Sequence, residues 1–161
     1  MNRLKYTGYS IVFQEVPDEV TLAINISGCP HKCEGCHSKY LWEYEGDYID
    51  EDIEKLICRY KKFITCVCFM GGDQNPSNLI HCLSIAKKYG FKTCLYSGRD
   101  DLRSLYTDGL IDQCDYVKIG RYNQQLGGLN SPNTNQRFYK RIDGVFEDIT
   151  YLFQKDGKIN D

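Results

Sequence analysis

The chain has 161 residues and a net charge of −2, with 42% hydrophobic and 26% charged residues. That is the make-up of a soluble globular protein with enough length for one core. Lysine and arginine form no block longer than the pairs Lys61–Lys62 and Lys87–Lys88, so nothing resembles the electrostatic footprint of a nucleic-acid partner. No apolar run approaches the ~20 residues that cross a bilayer. The start of the chain lacks the apolar core of about 7–15 residues of a signal peptide, so a cytoplasmic location is expected. In that reducing compartment, nine cysteines point to metal ligands, catalytic groups or buried thiols ahead of disulfides.

The elements follow in chain order. Residues 20–26, rich in β-branched side chains, predict a strand that runs straight into a cysteine-rich loop. Ile53, Leu56, Ile57 and Tyr60 recur at spacings of three and four, predicting a helix over 50–61. Residues 64–70 form a short continuous apolar run ended by Gly71-Gly72, the pattern of a strand buried on both faces. A second helix is expected over 76–89, with Gly90 as its stop. A strand over 91–96 closes at Ser97-Gly98, a short helix spans 100–106, and a fourth strand, 116–119, ends at Gly120. This alternation predicts a mostly parallel sheet with right-handed crossovers. Beyond it, residues 124–136 read as a long loop. Residues 138–142 and 145–153 read as a hairpin around Asp143-Gly144. No repeat or linker interrupts the chain, so residues 1–161 are expected to form a single domain.

The special residues fall at one kind of place. Gly28 with the first cysteines, Gly71-Gly72-Asp73, Ser97-Gly98 and Gly120-Arg121 each follow the carboxyl end of a predicted strand. Ligands bind at that edge in parallel α/β sheets and barrels.

Cys29, Cys33 and Cys36 lie within eight residues, in a loop that Pro30 and Gly35 allow to curl. Clusters of the four-iron type normally take one cysteine per iron, so three close thiolates leave one iron open to a small molecule. By spacing alone a Cys₃His zinc site with His31 or His37 also fits. Structural zinc loops, however, usually come as two separated ligand pairs, and no second pair follows here. Neither histidine is counted as a ligand. The other six cysteines, Cys58, Cys66, Cys68, Cys82, Cys94 and Cys114, are expected in the core.

Cys29-x-x-x-Cys33-x-x-Cys36 is the signature of the radical S-adenosylmethionine (SAM) superfamily. More narrowly, Ser-Gly-Cys-x-His-x-Cys-x-Gly-Cys over Ser27 to Cys36 resembles the activating enzymes of anaerobic ribonucleoside-triphosphate reductase. Gly35 before the last cysteine, Gly71-Gly72-Asp73 and Asn135-Gln136-Arg137 resemble features of the same group. So does the stretch from Leu126 to Arg137. Phe13-Gln-Glu-Val-Pro-Asp-Glu departs from it, lacking the Asn-Gly-Pro-Gly run of the best-known activases.

The resemblance implies an α/β fold of the partial, open (β/α) barrel type, with a C-terminal loop and hairpin. A full eight-fold barrel needs ~250 residues. It implies a [4Fe–4S] cluster on Cys29, Cys33 and Cys36, with SAM chelating the open iron. One electron, from a low-potential donor such as a flavodoxin, would break SAM to a 5′-deoxyadenosyl radical. That radical would take hydrogen from a glycine of the class III reductase, the implied partner.

Gly71 and Gly72 would let the backbone approach SAM closely. Asp73 would accept from its ammonium, and Ser97 and Gly98 would add a weaker second contact. Lys118 and Arg121 flank the end of the fourth strand, placed to meet the carboxylate or to stand as solvated rim charges. Read alone, Gly-Gly-Asp is an ordinary turn, and Asn135-Gln136-Arg137 has no chemical role to assign. A different radical SAM enzyme, or a non-enzymatic iron–sulfur or zinc protein, remains compatible with the residues.

Overall fold

The computed structural model describes residues 3–31 and 42–154. Its strands are β1 (Lys5–Val12), β2 (Thr21–Ile26), β3 (Asp47–Tyr48), β4 (Cys66–Met70), β5 (Lys92–Tyr96), β6 (Tyr116–Ile119), β7 (Arg137–Ile142) and β8 (Val145–Asp148). Its helices are α1 (Ile49–Tyr60), α2 (Pro76–Lys88) and α3 (Arg103–Thr107). All eight strands join one sheet in the order β3-β1-β2-β4-β5-β6-β7-β8. The sheet does not close, because β3 and β8 stand at its two edges.

The expected alternation is present, but the sheet is mixed where a mostly parallel one was predicted. Only the β2–β4, β4–β5 and β5–β6 pairings are parallel. The four outer pairings are antiparallel. Two of these come from the expected hairpin, β7 and β8, joining the sheet beside β6, and two from β1, which the sequence does not announce. Lys-Tyr-Thr-Gly-Tyr-Ser-Ile-Val is polar and aromatic, interrupted by Gly8, and none of it is fully buried, so neither a period of two nor an apolar run stands out.

Local chemistry sets the element ends. Asn75 caps α2, its Oδ1 accepting from the Asn78 amide at 3.3 Å, and Pro76 takes the first turn, where its missing N–H costs nothing. Such a cap is worth about 1 kcal/mol. In α1, Asp50, Glu51 and Asp52 occupy the first turn and Arg59 the last, complementing the helix dipole. The hairpin turn forms as expected, with Asp143 at φ 52° and Gly144 at φ 81°. Its second arm is shorter than predicted. The Asp148 carboxylate accepts from the Thr150 amide at 2.9 Å and pulls the chain out of register. Residues 151–154 then form a helical turn. Helix α3 starts later than expected, where Asp101 holds the Ser104 amide at 3.2 Å.

Alternation along the parallel strands divides the interior into two cores. Leu22, Ile24, Ile26, Val67, Phe69, Leu95, Val117 and Ile119 pack under α1 and α2, against Ile53, Leu56, Ile57, Leu79 and Leu83. The opposite face carries Cys66, Cys68, Cys94, Tyr116 and Phe138, with Val16 and Ile149 over them. Five of the six dispersed cysteines are buried as expected, but Cys58 is exposed. It sits on the solvent side of α1, where Leu56 and Ile57 already fill the apolar face. Among the described residues, no helix is long and apolar enough to cross a membrane.

Candidate functional site

Because β2, β4, β5 and β6 run parallel, the loops after them emerge on one rim. Backbone bonds stitch neighbouring loops together. The Gly71 amide donates to the Tyr96 carbonyl at 3.0 Å, Ser97 to Lys118 at 2.8 Å, and Gly120 to Arg99 at 2.6 Å. Gln74, which the sequence reading passed over, joins the first loop to the second. Its Nε2 donates to the Ser27 and Gly28 carbonyls at 3.1 and 3.3 Å, while its Oε1 accepts from the Gly72 amide at 3.2 Å.

The rim encloses a cavity of about 340 Å³, lined by Cys29, Gly71, Gly72, Asp73, Ser97, Gly98 and Lys118 among others. Within the described part of the chain these predicted residues meet in one place, and Arg121 is not among them. Cys33, Cys36 and His37 lie outside the described residues. Gly71 and Gly72 adopt φ values of 105° and 108°, a left-handed conformation that side chains resist. Gly98 is needed for a different reason: a Cβ there would stand 2.4 Å from the His31 ring.

Asp73 is the most constrained residue of the rim, only 4% exposed. Its Oδ2 accepts from Ser97 Oγ at 2.8 Å and from Arg99 Nε at 3.2 Å. Arg99 also donates through a terminal nitrogen to the Asp73 carbonyl at 2.7 Å, and its other terminal nitrogen pairs with Asp108 at 2.6 Å. His31 Nε2 stands 3.7 Å from Asp73 Oδ2, within ion-pair reach but beyond a hydrogen bond. That nitrogen is buried and has no hydrogen-bond partner among the described residues.

Burial pushes the Asp73 carboxyl up, but His31, the Ser97 hydroxyl and the Arg99 charge outweigh it and hold it below the usual range. Arg99 carried no motif; its only signal was its place two residues after Ser97. Lys118 Nζ donates to the Gly120 carbonyl at 3.1 Å and lies 5.7 Å from the Tyr96 ring centroid.

Asn135 and Gln136 also acquire a role. Asn135 Nδ2 donates to the Arg121 carbonyl at 3.1 Å and buried Gln136 Nε2 to the Gly120 carbonyl at 3.3 Å. The backbone passes so close that a Cβ on Gly120 would lie 2.9 Å from Gln136 Cα. These residues hold the loop after β6 in place. Arg121 itself points away from the cavity and lines a polar recess with Asp100 and Asn135.

Acid should loosen the fold. Asp50, chiefly through Arg3, shares the lowered carboxyl of Asp73. So does Glu19, where burial is outweighed by hydrogen bonds from Thr65, Tyr116 and Lys92. Groups with depressed folded-state values contribute stability that is fully present above the unfolded carboxyl pKa of about 4 and is lost as pH falls through the folded values. The urea midpoint of the metal-free protein is expected to hold between pH 7 and about 5 and to drop below about 4. An equal midpoint at pH 7 and pH 3.5 would refute this.

The profile of the family described as a 4Fe-4S single cluster domain matches residues 19–138, and the chain belongs to that family. Within it, the chain is similar to the anaerobic ribonucleoside-triphosphate reductase-activating protein of Enterobacteria phage T4. The two are 28% identical over 139 residues, spanning 76% of this chain and 85% of the relative. No solved structure matches the chain. Sulfur donors at the start of the loop after β2 suit an iron–sulfur group. Cys29 is a free, partly accessible thiol on the cavity wall.

Proposed function

We propose that the protein is a radical SAM activase. It would bind a [4Fe–4S] cluster through Cys29, Cys33 and Cys36, cleave SAM reductively, and install a glycyl radical on an anaerobic ribonucleotide reductase. On this reading the open sheet is the partial barrel of the radical SAM type, and one domain carries the whole activity. The observation that carries it is the meeting of Cys29, Gly71, Gly72, Asp73, Ser97, Gly98 and Lys118 in one cavity, in a chain of the 4Fe-4S family. The similarity to a reductase-activating protein supports the choice of partner.

When bound, the cluster supplies the electron that breaks the sulfonium bond of SAM. The chain's own residues do the rest. Gly71 and Gly72 supply the left-handed turn that carries Asp73 onto the rim, and a Cβ on Gly72 would press on Leu4 and Leu79 of the core. Asp73 gives the amino-acid end of SAM a negative partner, with Ser97 and Arg99 fixing the carboxylate's orientation. Lys118, held at the cavity wall, offers a positive charge to the SAM carboxylate. His31, packed on Gly98, lines the cavity together with Cys29. Its buried Nε2 provides a polar atom for which a bound group would supply the partner. The electron would come from a low-potential donor such as a flavodoxin.

The test mixes the protein anaerobically with the reductase of the same source, SAM and a strong reductant. A doublet EPR signal is expected on the reductase, and deuterium from the α-carbon of its glycine is expected in 5′-deoxyadenosine. Formation of 5′-deoxyadenosine without doublet or label transfer would sink the activase assignment while keeping SAM cleavage.

A further inference from the structure

A second, larger cavity, of about 830 Å³, adjoins the first and shares Tyr96 with it. It opens over the thiol-bearing face of the sheet, where Leu129, Leu152 and Phe153 form an apolar floor. Gln154 fixes that floor by donating to the Leu129 and Ser131 carbonyls at 3.3 and 2.9 Å.

Much of the remaining lining is polar. Gln14 and Asn130 each present an amide that both donates and accepts, as a peptide backbone does. Glu15 and Asp18 bring two carboxylates, and among the described residues no lysine, arginine or histidine lines the cavity. Among the described residues neither carboxylate takes part in an ion pair. Exposed aromatics adjoin lining residues in the chain: Phe13 is 68% and Tyr151 63% exposed, side chains of the kind enriched where proteins meet. Tyr96 is the partition. Its hydroxyl donates to the Glu15 carbonyl, tying the segment between β1 and β2 to the end of β5, next to Ser97.

We propose that this cavity is the docking groove for an extended segment of the partner protein that carries a lysine or arginine, and that the segment reaches the SAM cavity alongside Tyr96. The inference rests on the proposed function for the partner's identity. Its own support is continuity with that cavity, two carboxylates without an ion pair among the described residues, and side-chain amides lining the same cavity as an apolar floor. The carboxylates select a cationic side chain and speed encounter, the amides pair with the backbone, and the floor receives an apolar neighbour.

The experiment measures binding of the reductase subunit to the anaerobically prepared protein, without SAM, at several salt concentrations. The double variant Glu15→Lys/Asp18→Lys is expected to bind about ten-fold more weakly or worse and to lose the salt dependence of the parent. Glu147→Lys on β8 is expected to bind as the parent does. Should the double reversal fail to fold, Glu15→Gln/Asp18→Asn replaces it, with a loss of about three-fold expected.

A photo-reactive residue at position 130 should cross-link to a reductase peptide containing a basic residue. Unchanged affinity and salt slope would overturn the groove. So would a parent that does not bind the reductase, or a cross-link to residues 155–161 of the same chain or to a second copy. A protein that binds through Glu15 and Asp18 yet makes no glycyl radical would support the groove and overturn the proposed function.

Discussion

Replacing Cys29, Cys33 or Cys36 singly by alanine is expected to take bound iron from four atoms per chain to nearly none, measured by iron and sulfide analysis after anaerobic reconstitution. A cluster with three protein thiolates has no spare ligand, so each loss leaves two irons without protein sulfur. The dispersed thiols cannot step in. The buried ones lie on β4, β5 and α2 or, for Cys114, just before β6, and Cys58 is on the outer side of α1. Among the described residues no three histidine, cysteine or acidic side chains are grouped to hold a metal. Cys58→Ala is the matched control and should keep its iron. Parent protein carrying one zinc and no iron would overturn the cluster assignment.

Asp73→Asn is expected to keep the cluster and to bind SAM at least ten-fold more weakly by calorimetry. A hydrogen bond to a charged group contributes about 1.5–3 kcal/mol, and each 1.4 kcal/mol is a factor of ten. The geometry sharpens the expectation. Ser97 Oγ and Arg99 Nε both direct hydrogens at Oδ2. An amide can offer them its oxygen, but it then presents donors where the carboxylate presented its other oxygen. The substitution thus removes the charge and reverses the hydrogen-bond polarity on the cavity side. Unchanged affinity would show that Asp73 serves only to tie Arg99 and Ser97.

What was legible in the sequence follows from how strongly each segment is patterned. The strands β2, β4, β5 and β6 are buried on both faces and read as apolar runs; α1 and α2 carry helical periodicity with clear starts. Placing these six segments in order puts the four rim loops, and the rim residues named from the sequence, together. Strand β1 escaped because half-exposed tyrosines and threonine give no period.

Arg99 and Gln74 were invisible for another reason. Their roles depend on bonds between loops about 26 and 46 residues apart, and no local spacing encodes such a bond. Asn135-Gln136 stood out only by resemblance. Its chemistry, two side-chain amides donating to successive carbonyls, appears once the chain returns to β6. The exposure of Cys58 turned on which face of α1 its position falls, a point the general burial of cysteine does not decide.

The thiols of the second face bear on how such a chain acquires its metal. Iron binds thiolate in preference to thiol, and a folding chain with nine cysteines offers many wrong combinations. Burial pushes the Cys66 and Cys94 thiols well above their ordinary value and raises Cys82 and Cys114 to about 12. At neutral pH these four stay protonated and withdrawn from the ligand pool. Once the sheet closes over them, competition for incoming iron narrows toward the loop that begins at Cys29. In the folded chain, the environment of cysteines outside that loop thus keeps them out of the competition for iron.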